Sequence, residues 1–225
     1  MSRLKVSDVN NSSEDTATRI LDAAEVLFAE NGFAGTSARD ITGSAECNVA
    51  SINYYFGGKD NLYRQVCKRR LNELRELRIN TINSYMSQSS DKILLEGLLY
   101  DFSESFLAPF IEKSCGRNFM RLMLREMLYP QLPANMIYDE LLLPVCRILQ
   151  QAILKLCPEL KAQQALWSIF SLFGQLFHTM NINGVMENYP NERFVPAFDL
   201  KGAVEHIVAF TKAGIMEMIQ NNGVH

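Results

Sequence analysis

The chain has 225 residues, of which 48 % are hydrophobic and 21 % are charged, and its formal net charge is −3. This length suits one large domain or two small ones, and the composition is typical of a globular protein. The sequence has neither an apolar run of about 18 residues nor an N-terminal segment with the apolar core of a secretory signal. We therefore expect no membrane span and predict a cytoplasmic protein.

We predict an all-α protein, because apolar residues recur every three or four positions along most of the chain and no strand-length alternation stands out. Residues 1–12 are expected to form a flexible polar arm. The predicted helices cover residues 13–31, 38–45, 49–56, 59–86, 91–107, 114–129, 138–156, 159–183 and 199–222. Prolines fall in the gaps between them except Pro144, where the helix either begins or kinks.

Local signals mark the ends of the short second and third helices. Ser37 and Asp40 have the spacing of a capping box, and Asn48 can cap the third helix. Gly57 and Gly58 then stop it. Since isolated helices of this length are marginal in water, we expect their neighbours to hold them in a helix-turn-helix arrangement.

The third helix is predicted to bury Ile52 and Phe56, with Val49 beside them. The opposite face carries small and hydrogen-bonding side chains: Ala50, Ser51, Asn53 and Tyr54. Such a face suits the major groove of DNA, where small residues allow close approach and Asn and Ser reach base edges. An ordinary solvated face of a helical bundle remains an equal alternative.

Two basic residues near this helix could contact phosphates. Lys59 begins the fourth helix beside free backbone N–H groups, and Arg39 lies in the first turn of the second helix. Bulk charge argues against DNA, because residues 1–60 hold 5 Lys/Arg against 9 Asp/Glu, whereas residues 61–80 hold 6 against 2. The DNA interpretation therefore depends on local placement of charge.

The stretch TRILDAAEVLFAENGFAGTSARDITGSAECNVASINYYFGGKDNLY closely resembles the N-terminal DNA-binding domain of TetR-family transcriptional regulators. The resemblance covers about 50 residues and implies a homodimer with the third helix in the major groove. It implies DNA contacts by Ser37, Arg39, Val49, Ala50, Ser51, Asn53, Tyr54, Tyr55 and Lys59. Two departures make the operator unpredictable: the turn is Ala45-Glu46-Cys47 without the usual glycine, and Asn53 stands where the family often has tyrosine.

After the polar arm over residues 1–12, we expect a DNA-binding domain over 13–60 and, as the resemblance implies, a ligand-binding and dimerisation domain over 61–225. The last two helices are apolar enough to be buried against a partner. The predicted interface residues are Phe170, Phe173, Phe177, Val204, Ile207, Val208 and Ile215. A single well-filled monomer core is the alternative.

The middle of the chain is rich in Met and Phe, which suits a cavity for an apolar or aromatic small molecule. The predicted effector pocket contains Phe106, Phe110, Phe119, Met120, Met123, Arg125, Met127, Tyr129 and Phe173. Arg125 or Arg121 could anchor an anionic group. The same residues could instead simply fill a core. The stretch NFMRLMLREMLYPQLPANMIYDELLLPV also resembles, more weakly, the C-terminal domain of the CecR-type subset, which implies a small-molecule effector.

Enzymatic chemistry has little support, since the sequence has no phosphate loop and no nucleophile elbow. The five scattered cysteines favour neither a disulfide framework nor a zinc site, although a redox-sensing thiol is an alternative. His178 could approach Glu205 or His206, but we expect no metal and no cofactor. A metal-dependent hydrolase is thus a distant third possibility.

The sequence as a whole predicts a homodimeric repressor that binds a palindromic double-stranded DNA operator and is released by a small-molecule effector. We expect it not to be an enzyme and not to bind membranes. The competing hypothesis is a helical protein-interaction module without DNA binding, which the acidic residues 1–60 favour.

Overall fold

The computed structural model describes residues 6–89, 93–112, 118–119, 122–123, 126, 129–186 and 199–222. Within these residues the chain is helical and contains no strand, which confirms the all-α prediction. The helices are α1 (Val6–Asn31), α2 (Ala38–Ser44), α3 (Ala50–Phe56), α4 (Lys59–Met86), α5 (Leu95–Glu112), α6 (Leu143–Leu156), α7 (Ala162–Met186) and α8 (Leu200–Asn222). A π-helical turn, Tyr138–Leu142, precedes α6. None of the helices in the described ranges is both long and apolar enough to cross a membrane.

The chain forms two compact units. The first, which we call the head unit, contains Met1–Asn72 together with Ser114–Met136, and the second, the C-terminal unit, contains Glu73–Lys113 together with Ile137–His225. The division falls inside α4, between Asn72 and Glu73. Helix α4 is unbroken and contributes its first half to the head unit.

Helix α1 begins at Val6, so residues 6–12 extend the helix instead of belonging to the predicted arm. No proline or glycine interrupts the sequence between Val6 and Asn31, so nothing local stops the helix from propagating towards the N-terminus. Pro109, which the sequence places in a gap, lies inside α5 near its C-terminal end.

The core of the head unit is built from the apolar stripe of α1 and the inward residues of the following helices. The Phe28 ring packs edge-on against Tyr63 at 4.9 Å between centroids, and Phe33 joins them at 5.2 Å from Tyr63. Residues with at most 2 % exposure here include Ile20, Ala24, Phe28, Ile41, Ile52, Leu62, Tyr63 and Val66. This core holds α2 and α3, which are too short to be stable alone.

In the C-terminal unit, α5, α7 and α8 pack on one another and α6 packs on α7. The π-helical turn resolves the ambiguity at Pro144. Proline has no N–H to donate to the carbonyl four residues earlier, which belongs to Glu140. Arg75 supplies a donor instead, because its Nη1 lies 2.9 Å from that carbonyl oxygen and 3.3 Å from the Glu140 carboxylate.

Candidate nucleic-acid interface

Helix α2 starts with the capping box that the sequence predicts. The Asp40 N–H donates to Ser37 Oγ at 3.2 Å, and the Ser37 N–H donates to Asp40 Oδ2 at 2.8 Å. Hydrogen bonds from the side chain and then the backbone of Ser37 hold the pKa of the Asp40 carboxyl below its ordinary value of 3.8. The carboxylate also suits the positive end of the helix dipole, so the box fixes where α2 begins.

A side chain of α1 stabilises the turn between α2 and α3. Arg19 Nη1 donates to the Ala45 carbonyl at 3.0 Å, which satisfies an unpaired acceptor at the C-terminal end of α2. Glu46 has φ of +50°, the left-handed region where glycine is favoured. The missing glycine of the turn therefore leaves the turn geometry in place but adds backbone strain at Glu46.

Helix α3 is fixed at both ends. Asn48 Oδ1 accepts from the Ala50 N–H at 2.9 Å, as the sequence predicts. At the other end Gly57 is left-handed with φ of +70°, and its N–H donates to the Asn53 carbonyl at 3.0 Å. Ile52 and Phe56 are buried, at 1 % and 8 % exposure, so one face of α3 is anchored in the core and the opposite face is presented outward.

The outward surface of α2 and α3 carries the predicted DNA contacts. Tyr54 is 82 % exposed, Val49 is 44 % exposed, and Tyr54 packs edge-on against Tyr55 at 4.8 Å. The other exposed members are Ser37, Arg39, Ala50 and Asn53, and the half-buried ones are Ser51, Tyr55 and Lys59. We call these nine residues the reading surface.

Lys59, at the start of α4, contacts an aromatic ring of the head unit. Its Nζ lies 4.2 Å from the centroid of the Phe33 ring, a cation–π contact within the head unit. Lys59 is half-buried at the N-terminal end of α4, where free N–H groups also favour an anion.

Three acidic residues of α1, Asp15, Asp22 and Glu25, form ion pairs with arginines of the same unit. Arg69 donates to Asp22 and to Glu25, each at 2.8 Å, and Arg70 donates to Glu25 at 2.8 Å. Asp15 lies 3.6 Å from Arg19. Basic residues of α4 therefore neutralise acidic residues of α1, so the count over residues 1–60 overstates the negative charge that DNA would meet.

The predicted effector pocket is distributed over both units. Phe106 and Phe173 belong to the C-terminal unit, with 5.8 Å between ring centroids. In the head unit Phe119 is buried, Met123 is half-buried and Tyr129 is 74 % exposed. The side chains of Phe110, Met120, Arg121, Arg125 and Met127 lie outside the described residues, so the pocket as a whole stays a prediction.

A cavity of about 450 Å³ lies within the C-terminal unit, between the α6 region and α7. Its walls include four aromatic residues and three leucines, with Arg147 and Gln150 among its polar groups. The aromatic members are Tyr138, Phe170, Phe173 and Phe177. An apolar wall with few polar groups is the usual composition of a small-molecule site.

The predicted interface residues divide into two groups. Val204, Ile207, Val208 and Ile215 are at most 3 % exposed and belong to the core of the chain, so they are not available to a partner. Phe173 is also buried, at 6 %. This corrects the assignment: among the predicted residues only Phe170 and Phe177, 45 % and 40 % exposed, lie on an open surface.

Sequence reasoning missed the hydrogen-bond partners of Glu126 and the burial of Arg78. Glu126 accepts from the Tyr63 hydroxyl at 2.6 Å and from the backbone of residues 131 and 132. Arg78 is 2 % exposed and stacks on Phe106 at 3.8 Å. Arg78 lies on the same buried face of α4 as Leu74, Ile82 and Tyr85, and this helical spacing could have identified it as buried.

The described cysteines are free thiols. Burial raises the pKa of the Cys67, Cys146 and Cys157 thiols, which disfavours the reactive thiolate form. Cys47 is half-buried, and Cys115 lies outside the described residues. Within the described ranges no group of three or more His, Cys, Asp or Glu side chains is placed to hold a metal ion.

A capped pair of short helices with an outward polar face is the arrangement found in helix-turn-helix DNA-binding domains. Residues 20–66 match the family model of the bacterial regulatory proteins of the tetR family. Residues 95–215, more than half of the chain, match the model described as the C-terminal domain of the HTH-type transcriptional dual regulator CecR. The chain therefore belongs to the TetR family of transcriptional regulators, which are not enzymes.

Among curated relatives, the chain is 35 % identical over 86 residues to the probable transcriptional regulator YttP of Bacillus subtilis, covering 38 % of this chain and 41 % of YttP. It is 30 % identical over 99 residues to IcaR of Staphylococcus aureus, the negative regulator of a biofilm operon, covering 43 % of this chain and 52 % of IcaR. The matched segments thus span about half or less of these relatives.

Solved structures share the fold over nearly the whole chain. A TetR-family regulator from Mesorhizobium loti has a TM-score of 0.68 at 18 % identity, covering 91 % of this chain and 97 % of that one. FadR of Bacillus subtilis in complex with stearoyl-CoA has a TM-score of 0.60 at 17 % identity, covering 88 % and 98 %. These likenesses concern the fold alone.

Proposed function

We propose that the protein is a homodimeric repressor that binds a palindromic operator and releases it when a small molecule binds the C-terminal unit. The observation that carries the proposal is the outward face of α3, which forms part of the reading surface. Its outward residues are polar or small, and buried Ile52 and Phe56 fix their direction. Two such helices in a dimer would enter successive major grooves with centres about 34–36 Å apart.

Dimerisation is supported by exposed apolar side chains on α7 and α8. Trp167 is 61 % exposed and Phe210 is 64 % exposed, and both helices lie in the C-terminal unit. The further members of this apolar surface are Phe170, Phe177 and Met216. Such a concentration of large exposed apolar residues is typical of a protein–protein interface. A second copy would bury it through a symmetric four-helix contact.

An effector is supported by the aromatic cavity in the C-terminal unit. Its volume of about 450 Å³ suits a small organic molecule, and its walls are largely apolar. The likeness to FadR, whose structure holds stearoyl-CoA, adds that this fold can accommodate a ligand with a long acyl chain. Repression rather than activation is favoured by the likeness to IcaR, a negative regulator.

The proposed mechanism is a shift between two populations of the dimer. Ligand would favour the state in which the two reading surfaces are spaced wrongly for the operator. Helix α4 is the proposed connection, because it is continuous from Lys59 to Met86 and contributes residues to both units.

The proposal is tested by selecting random duplex DNA on the purified protein and then titrating the enriched duplex with candidate effectors. An enriched palindrome whose affinity falls on addition of a small molecule supports every part of it. Enrichment with no response to any effector contradicts the release mechanism. Failure to enrich any sequence, even at low salt, favours the protein-interaction alternative.

A further inference from the structure

Arg78 is a buried charge without a counter-charge. It lies on α4 inside the C-terminal unit with 2 % exposure, and its Nε is fully buried with no hydrogen-bond acceptor. Across the described ranges, none of the ion pairs involves it. Burying an unpaired guanidinium costs folding free energy, so its presence calls for a compensating role.

Arg75, about one turn earlier on the same helix, has the polar partners expected of a structural arginine. Its guanidinium is about a quarter exposed and bonds both the carboxylate and the backbone carbonyl of Glu140. It therefore compensates for the N–H that Pro144 lacks. No comparable partner is assigned to Arg78, although both side chains belong to one helix and one compact unit.

The guanidinium of Arg78 contacts an aromatic ring, and its Nε has no hydrogen-bond acceptor. The guanidinium carbon lies 3.8 Å from the centroid of the Phe106 ring, which is a cation–π contact. The N–H groups of arginine point outward in its plane, where they match the two oxygens of a carboxylate. Nε, which has no acceptor, is part of that edge.

A second buried polar group without a partner lies close in sequence to the aromatic contact. Ser103 is 0 % exposed, its Oγ has no hydrogen-bond partner, and it precedes Phe106 by about one turn of α5. Phe106 in turn contacts Phe173 and Phe177 at 5.8 and 5.4 Å, and these two rings line the 450 Å³ cavity. Unpaired polar groups thus adjoin an apolar aromatic cluster.

We propose that the effector is an organic monocarboxylate whose carboxylate pairs with the Nε edge of Arg78 while its apolar body packs on the phenylalanine cluster. The inference rests on the proposed effector-responsive function and names its ligand class. Burial lowers the pKa of Arg78 to about 9, so the group remains protonated at neutral pH. A single positive charge is balanced by one carboxylate, whereas a phosphate dianion would leave excess negative charge.

The first experiment compares the same substitution at the two arginines in protein without ligand. Arg78→Met removes an uncompensated buried charge and keeps a long apolar side chain, so Tm should rise by about 2–8 °C. Arg75→Met, the matched control, leaves the Glu140 groups without their donor, so Tm should fall. A fall in both variants would show that Arg78 is a paired structural residue and would overturn the proposal.

The second experiment measures Tm with matched acids and alcohols: octanoate against 1-octanol, and 3-phenylpropanoate against 3-phenylpropan-1-ol. An acid should raise the Tm of the wild type by about 5–10 °C at 100 times its dissociation constant, and the alcohol should not. Arg78→Met should lose this difference, whereas Arg64→Met, at an exposed position on the same helix and outside the cavity wall, should keep it. Arg147→Met tests the other arginine, which lies at the cavity wall. The proposal would be overturned if acid and alcohol raise Tm equally or if neither acid raises it. It would also be overturned if Arg147→Met alone loses the difference in Tm between acid and alcohol.

These readouts need no DNA, so they separate the ligand class from the proposed function. An acid that stabilises the wild type through Arg78 but leaves operator affinity unchanged would contradict only the release mechanism. Operator release by neutral molecules alone would contradict only the carboxylate.

Discussion

The hydroxyl of Tyr63 donates to Oε1 of Glu126 across 2.6 Å, between α4 and a segment more than 60 residues later in the chain. Both side chains are buried, at 2 % and 7 % exposure. The same carboxylate accepts from the N–H groups of Gln131 and Leu132 at 3.0 Å. This one buried acid therefore ties part of the region matching the CecR C-terminal domain into the head unit.

We expect Tyr63→Phe to lower the free energy of unfolding by about 1–3 kcal/mol, because a buried carboxylate loses one of its donors. Chemical denaturation monitored by circular dichroism measures the change. Tyr129→Phe is the control, since Tyr129 is 74 % exposed and its change should be near zero. Equal stabilities for Tyr63→Phe and the wild type would show that the bond contributes nothing.

The ion pairs between α1 and α4 involve one buried acid, Glu25, and one exposed acid, Asp22, whose contributions to stability can be compared. Glu25→Gln should lower the free energy of unfolding by about 1–3 kcal/mol, because Glu25 is 4 % exposed and two arginines bond it. The arginines are 22–23 % exposed, which keeps the cost below that of a fully buried pair. Asp22→Asn, at a 63 % exposed side chain, should cost less than about 1 kcal/mol. Similar losses in urea denaturation would contradict this ranking.

We expect a glycine at the turn residue Glu46 to stabilise the protein. Glu46→Gly should raise the free energy of unfolding by about 0.5–1 kcal/mol, because φ of +50° strains a residue with a side chain and not glycine. Ser44→Gly, at the helical end of α2, should lower it instead, since glycine weakens helices. Thermal unfolding of the two variants checks the opposite signs. A destabilised Glu46→Gly protein would mean that the side chain makes a contribution larger than the strain.

Because the capping box lowers the pKa of Asp40, the direction in which stability changes with pH can be predicted. The pKa of Asp40 is lowered, so its contribution to stability is complete above 3.8 and is lost as pH falls through the lower folded value. Measured by NMR titration, the Asp40 pKa should lie below 3.8 and should move up towards that value in Ser37→Ala. Ser44→Ala, at the other end of α2, should leave it in place. An Asp40 carboxyl that titrates at or above 3.8 in the wild type would refute the box as its partner.

Much of the fold could be predicted because its signals are local. The capping box, the Asn48 cap and the two glycines each act within a few residues, so the bounds of α2 and α3 follow from short stretches of sequence. The bounds of α4, Lys59 and Met86, follow equally from its apolar repeat and the glycines before it. The outward direction of Asn53 and Tyr54 follows from helical periodicity.

The remainder depends on contacts distant in sequence. The partners of Arg69 and Arg70 lie 44 and 45 residues away, so no local pattern shows that these charges are neutralised. Val204 and Ile215 have the apolar periodicity of an interface, yet periodicity cannot distinguish a face that meets a partner from one that meets its own core. Only the tertiary structure separates these cases.

The central claim is most directly tested by fluorescence anisotropy on the selected operator with the double variant Ser51→Ala/Asn53→Ala. We predict that its affinity falls at least about 30-fold, because each base contact contributes about 1–3 kcal/mol, while the salt dependence stays as in the wild type. Asn83→Ala/Ser84→Ala removes the same two residue types from an exposed part of α4 and should stay within about twofold. Unchanged affinity in the Ser51/Asn53 variant, or an equal loss in the control, would contradict sequence recognition by α3.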